Sequence, residues 1–322
     1  MKELWKPTTT HNGRQARAWL LRTIREFFYQ RQVLEVDTPI LSHGTVTDVH
    51  LAAFSCRFDH SVTGAPQTLY LQTSPEYAMK RLLCAQSGPI YQIIKAFRHE
   101  GAGRWHNPEF TMLEWYRPGF DHHQLMDEMD ALLQETLKTS SAQRFTYQEV
   151  FVQYLNLDPL IATDAQVARC VAEQGIDMVG ELPDRDSQLQ LLFSIAIEPN
   201  IGQQNPCFVY SFPASQAALA RLNSQDPRVA DRFEVYFKGA ELANGFYELA
   251  EPGEQRQRFM QDNALRAQHG LPQLPLDEHF LAALESGLPE CSGVALGIDR
   301  LLMLMLDAQH IEEVINFPVH RA

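Results

Sequence analysis

The chain has 322 residues, 45% of them hydrophobic, which is enough apolar material for a packed core in one large or two ordinary domains. A formal net charge of −13 argues against broad non-specific nucleic-acid binding, because that depends on Lys and Arg neutralising phosphates. No run of about 18 apolar residues exists and none follows Met1-Lys2-Glu3-Leu4-Trp5, so neither a membrane span nor a signal peptide is expected, and the expected location is cytoplasmic.

Over residues 13–32, Ala16, Leu20, Ile24, Phe27 and Phe28 recur at helical spacing and predict a long amphipathic helix. Residues 33–41 switch to alternation and predict a strand, with Pro39 at an edge or interface position because it cannot donate to a ladder. A short strand at 69–72 runs into Thr73-Ser74-Pro75-Glu76 and a helix from 77 to about 85. Two strands, 91–98 and 109–116, flank a turn marked by Gly101 and Gly103, and on the second Glu114 and Tyr116 share a face. A helix from 120 to about 137 has Asp121 as its N-cap. The span from about 140 to 200 reads as a helical insertion, broken at Asp158-Pro159, Gly175, Gly180 and Pro183. Strands resume at 207–210, 232–237 and 245–249, a polar helix covers 254–268, and 293–306 is a strand turning into an apolar helix. Hairpin-prone strands with helices grouped between them predict an α+β fold around a mainly antiparallel sheet. The five cysteines, Cys56, Cys84, Cys170, Cys207 and Cys291, never form a Cys-x-x-Cys pair, so they read as reduced thiols, mostly buried.

Three segments carry chemistry. Phe97-Arg98-His99-Glu100 through His106-Asn107-Pro108-Glu109-Phe110 gathers anion binders, carboxylates and an aromatic ring around a glycine turn, the outline of a nucleotide site. The same residues also suit an ordinary polar hairpin. Glu234, Glu241 and Glu248 recur every seven residues, and carboxylates ending adjacent strands can supply the oxygens Mg2+ takes beside substrate phosphates; strand-edge glutamates that discourage aggregation are the competing explanation. In Gly293-Val294-Ala295-Leu296-Gly297-Ile298-Asp299-Arg300, an arginine opens a helix, where its charge adds to the helix dipole and suits a terminal phosphate. A salt bridge is the alternative use of Arg300.

Together and in this order the segments resemble the catalytic domain of a class II lysyl-tRNA synthetase. The first helix, strand and Pro39 resemble motif 1, Arg98 through Phe110 motif 2, and Gly297-Ile298-Asp299-Arg300 motif 3. Thr73-Ser74-Pro75-Glu76, His106 through Thr111 and Asn244-Gly245-Phe246-Tyr247-Glu248 are similar to the lysine-specific segments, and the likeness spans nearly the whole chain. No N-terminal anticodon-reading OB domain is expected, since the catalytic domain starts within about the first fifteen residues. The chain therefore resembles the truncated paralogues that lysylate bacterial translation elongation factor P, and a single catalytic domain over 1–322 is expected.

The resemblance implies ATP and Mg2+ as cofactors, lysine or (R)-β-lysine as substrate, elongation factor P as protein partner, no tRNA, no membrane, and a homodimer. It implies Arg98 on the α-phosphate and the substrate carboxylate and Arg300 on the γ-phosphate, with Phe110 on adenine and His99, Glu100, His106, Asn107, Leu242 and Gly297 completing the ATP pocket. Glu234 and Glu241 would bind Mg2+, with Glu76 at the nearer amine and Glu114, Tyr116 and Glu248 at the terminal ammonium. Asn244 would help fix the carboxylate, with Pro75 lining the pocket. Ser74 and Ala295, where alanine and glycine are usual, would favour the shifted amine of (R)-β-lysine. The implied chemistry needs no enzyme nucleophile, so Cys84 and His122-His123 are expected to be structural. An amino-acid ligase and a short lysyl-tRNA synthetase are the alternatives.

Overall fold

The computed structural model describes residues 4–60, 64–175 and 184–322, so the breaks expected at Gly180 and Pro183 lie outside the described residues. In chain order the elements are α1 (His11–Gln30), β1 (Leu34–Glu35), β2 (Leu41–Ser42), β3 (Ser55–Phe58), β4 (Gln67–Leu71), α2 (Glu76–Cys84), β5 (Ile90–Phe97) and β6 (Glu109–Pro118). Then come α3 (His122–Leu137), β7 (Gln143–Thr146), α4 (Tyr147–Leu155), α5 (Asp164–Glu173), α6 (Arg185–Leu192) with a π-helical turn at Phe193–Ile197, β8 (Cys207–Pro213), β9 (Val229–Phe237) and β10 (Ala240–Tyr247). The chain closes with α7 (Pro252–Gln268), α8 (Glu278–Ser286), β11 (Cys291–Gly297) and α9 (Ile298–Leu306).

The elements form two compact units, Met1–Phe120 with Leu249–Ala322, and Asp121–Glu248. In the first, strands run in the order β1-β5-β6-β11, parallel between β1 and β5 and antiparallel elsewhere, beside a small antiparallel sheet in the order β2-β4-β3. Residues 33–41 do not make one strand: β1 pairs with β5 and β2 with β4, and Pro39, which has no N–H to donate, lies in the gap. The sheet's inner face is set by α1, whose N-terminus is capped by the Thr10 hydroxyl accepting from Gly13 N. Phe28 stacks on Tyr91 at 4.4 Å and meets Trp115 edge-on at 5.3 Å. Because Trp115 faces α1, the alternate residues Met112, Glu114 and Tyr116 of β6 face the other way.

In the second unit β10-β9-β8-β7 form the sheet, antiparallel except for β7 on β8. Asp121 caps α3 in a capping box with Gln124. The span expected to be a helical insertion begins with a strand, β7. The helices after it pack Tyr147, Phe151, Val167, Leu189 and Phe193 with Val209, Phe212 and Tyr236 of the sheet into one core. Together the elements give the α+β, mainly antiparallel architecture expected from the sequence.

Gly245 on β10 pairs opposite Phe233, and a Cβ there would stand 2.3 Å from the phenylalanine ring. Gly245→Ala should therefore destabilise the protein by roughly 1–3 kcal/mol, the usual penalty for overpacking. Urea unfolding checks this, and an unchanged midpoint would contradict it.

Candidate active site

In the first unit, the residues expected to recognise amines converge on Glu114, which is 2% exposed in the middle of β6. The Ser74 hydroxyl donates to Glu114 Oε2 at 2.6 Å and accepts from the Glu76 backbone N–H at 3.1 Å, so one side chain ties the start of α2 to β6. Tyr116 Oη donates to Glu114 Oε1 at 2.7 Å, as their shared face implies. On β11, Ala295 pairs opposite Glu114 and Gly293 opposite Tyr116, so small side chains stand beside the two polar groups. One helical turn beyond Glu76, the fully buried Lys80 donates from Nζ to Glu76 Oε1 at 2.6 Å. Burial first, then the Glu76 charge, pushes the Glu114 carboxyl up to about 7; the hydrogen bonds from Ser74 and Tyr116 and the Lys80 charge act in the opposite direction. Pro75 precedes α2 as its cap, and Tyr77 stacks on Phe280 at 4.6 Å, which fixes α2 against α8.

The same unit places Arg98 just past β5, with its guanidinium 5.2 Å from the Phe110 ring centre. Its backbone N–H donates to Pro108 O at 2.9 Å and closes the two strands behind the turn. His99 N–H donates to Ala52 O, its ring meets Phe54 edge-on at 4.8 Å, and Glu100 N–H folds back onto Arg98 O. Arg300, in the first turn of α9 after Gly297, donates to Trp105 O at 3.3 Å and reaches His106 Nε2 at 2.8 Å. Burial and then the Arg300 charge hold His106 below its ordinary pKa, so its neutral ring can accept from the guanidinium. The Asn107 amide donates to Glu109 O at 2.6 Å and accepts from Val319 N–H at 3.0 Å, anchoring the turn to the C-terminal segment. Thus Arg98, Phe110, His106 and Arg300, expected at the nucleotide, are brought to one hairpin and the helix that braces it.

Other contributors went unrecognised in the sequence. Asp299, buried beside Arg300, accepts from Thr111 N–H at 2.7 Å and from Arg17 of α1, whose guanidinium also reaches Val314 O. That contact locks the start of α9 to β6. Lys80 was legible as the i+4 partner of Glu76 on a helix; Arg17 had no local signal, since its partner is 282 residues away. Cys84 and His122 show no sign of activation: burial raises the thiol, and burial together with His123 lowers the imidazole to about 4.

In the second unit, Glu234 lies within β9 and Glu241 at the start of the adjacent β10, where Glu241 pairs with Tyr236 and Asn244 with Glu234. Glu234 accepts from Arg232 and from Tyr236 Oη, and Arg232 Nε also donates to Asn244 Oδ1 at 3.2 Å. Burial raises the Glu234 carboxyl, the Arg232 charge opposes this, and the nearby Glu241 charge adds to the rise. Leu242 is buried beside the bulge between Glu241 and Ala243, and Glu248 is 3% exposed at the end of the strand. Among the described residues no group of three or more His, Cys, Asp and Glu forms a metal cage. Two neighbouring carboxylates do fit Mg2+, which takes one or two of them and fills its shell with phosphate oxygens and water.

Residues 5–321 match the family described as tRNA synthetases class II (D, K and N), and the chain belongs to it as a ligase of the class II synthetase type. It is 60% identical to "Elongation factor P--(R)-beta-lysine ligase" of Vibrio cholerae serotype O1, over 99% of this chain and 98% of that protein. Proteins with the same name from Vibrio vulnificus and Edwardsiella ictaluri are 59% and 55% identical, the first over 99% of each chain and the second over 99% of this chain and 98% of its own. Among the described residues no helix is long and apolar enough to cross a membrane.

The Glu114 environment carries a pH signature. An unfolded glutamate titrates near 4.3, so between about pH 4.5 and 7 the folded state keeps a proton the unfolded chain has lost, and stability must fall as pH rises. Glu114→Gln should remove roughly 3 kcal/mol of this loss in the ligand-free protein. Denaturant unfolding at pH 5 and pH 8 checks it; an equal loss in variant and wild type would contradict the assignment.

Proposed function

We propose that this protein activates (R)-β-lysine with ATP as an acyl-adenylate and transfers it to a lysine side chain of translation elongation factor P. The observation that carries the substrate class is the Ser74–Glu114–Tyr116 cluster with Glu76 beside it: a buried carboxyl that burial and a like charge hold partly protonated is stabilised by an ammonium ion. Leucine or methionine would bring that carboxyl no counter-charge, which is the stronger form of discrimination. The names of relatives 54–60% identical over nearly their full length support the acceptor.

In this reading the substrate carboxylate attacks the α-phosphorus and pyrophosphate leaves, with Arg98 stabilising the charge that develops. Arg300 holds the γ-phosphate, Phe110 the adenine, and His99, Glu100, His106, Asn107 and Gly297 complete the nucleotide contacts of the first unit. The acceptor's lysine amine then attacks the acyl carbon and AMP leaves. In the second unit Glu234 and Glu241 are the Mg2+ ligands, Leu242 a nucleotide contact, and Asn244 and Glu248 substrate contacts. Bound Mg2+ supplies charge neutralisation for the phosphates. Pro75, Ser74 and Ala295 line the amine end. Ser74 and Ala295 stand where alanine and glycine are usual and favour the β-isomer. The chain works as a single catalytic domain with the 140–200 insertion, in the cytoplasm, without tRNA. Tyr29, Leu34, Ile40 and Leu41, all exposed around α1 and the Pro39 segment, support a homodimer through that face.

Two measurements test this. Mass spectrometry of elongation factor P incubated with the protein, ATP and each lysine isomer should show addition of one lysyl mass, faster with (R)-β-lysine; an unmodified factor alongside charged tRNA would refute the acceptor. Arg98→Ala should lower ATP–pyrophosphate exchange by at least about a hundredfold, the scale of losing a charge-stabilising group, while leaving the circular dichroism spectrum intact. Retained exchange would remove Arg98 from its role.

A further inference from the structure

The 140–200 insertion has no role in the reading above, and the structure supplies one within the second unit. Both oxygens of the buried Glu234 carboxylate are taken by residues of its own strand, Oε1 by Arg232 and Oε2 by Tyr236 Oη. Neither partner is held by β9 alone. The Tyr236 ring, 4% exposed, lies 5.2 Å from Phe193 in the π-helical turn that ends the insertion. The Arg232 guanidinium lies 4.6 Å over Phe212, and its Nη1 donates to Gln216 O at 2.6 Å. Phe193 and Phe212 both pack on Tyr147, the first residue of α4, at 5.6 and 4.9 Å. The two arms that grip Glu234 therefore end in one aromatic core that the insertion shares with the sheet.

The segment that leaves the insertion also touches the strand's backbone. Gly202, at φ +63°, lies where a Cβ would come within 2.4 Å of Tyr236 O, and its own carbonyl accepts from Lys238 N–H at 2.9 Å. A side chain at that position would push β9 away from the segment that follows the insertion.

Resting on the proposal that Glu234 and Glu241 hold the nucleotide's divalent cation, we infer that the insertion is a positioning device for that site, acting through Tyr236 and Arg232. A carboxylate that must accept a hard cation loses less freedom on binding when its rotamer is already fixed, and outer partners of metal ligands typically matter by ten- to a hundredfold in affinity. Tyr236 and Arg232 are positioning residues here, and Phe193 and Tyr147 set them. The π-helical turn fits this assignment, since such turns place one extra residue in a helix and are frequent at functional sites.

The test is Mn2+ binding followed by electron paramagnetic resonance, with a non-hydrolysable ATP analogue present. Tyr236→Phe keeps the ring in the core and deletes the hydroxyl; it should weaken Mn2+ about tenfold while leaving metal-free nucleotide affinity unchanged. Phe193→Leu, which keeps the Tyr236 hydroxyl but loosens its ring, should weaken Mn2+ in the same direction by a smaller factor. Wild-type Mn2+ affinity in both variants, with affinity lost in Glu241→Gln, would overturn the inference and leave the metal assignment standing. Undiminished Mn2+ binding in Glu241→Gln would overturn that assignment and this inference with it.

Discussion

The burial of Glu114 is the constraint on which the first unit's chemistry depends. A carboxylate at 2% exposure inside a sheet is costly, and two hydrogen bonds from Ser74 and Tyr116 offset only part of that cost. Its neighbour Glu76 makes the site worse for a negative charge, and the buried ammonium of Lys80 makes it better. In the proposed function a substrate ammonium corrects the residual imbalance. A pocket built in this way would bind an amine because it is unfavourable without one, and would reject apolar isosteres for the same reason.

Around that constraint the fold provides rigidity at the reacting end. Asp299 draws the first turn of α9, the return strand β6 and the helix α1 to a single carboxylate, so Arg300 emerges from a braced position. Arg300 in turn holds the 105–106 turn through a backbone carbonyl and a neutral imidazole, and the Asn107 amide holds the next residue to the C-terminal segment. Positioned cations of this kind need little rearrangement when charge develops on a phosphate, which is where electrostatic stabilisation is largest.

Most of the fold was legible because its elements are strongly periodic: α1, α3, β5, β6, β9 and the β11–α9 junction lie within a few residues of where the sequence puts them. The failures have local causes. Residues 33–41 split because Pro39 interrupts pairing, and β7 was hidden inside a span whose helices dominate the pattern. Strand β3 is exposed along its whole length and only four residues long, so its alternation of Ser55 and Arg57 with Cys56 and Phe58 is too short to stand out. The site was legible as residue types but not as a network. Glu114 with Tyr116, and Arg232 with Glu234 and Tyr236, share faces by strand parity, whereas the Ser74–Glu114 bond and the Arg17–Asp299 pair depend on tertiary contacts that spacing does not encode.

In the proposed function Glu114, whose carboxyl burial pushes up, ionises against the substrate ammonium. Calorimetric titration with (R)-β-lysine and lysine at pH 7, in two buffers of different ionisation enthalpy, reads this directly. With its carboxyl pushed up by burial and the Glu76 charge when free, Glu114 should release part of a proton on binding, and the release should vanish in Glu114→Gln. Binding with no proton release in the wild type, or with the same release in the variant, would contradict the account.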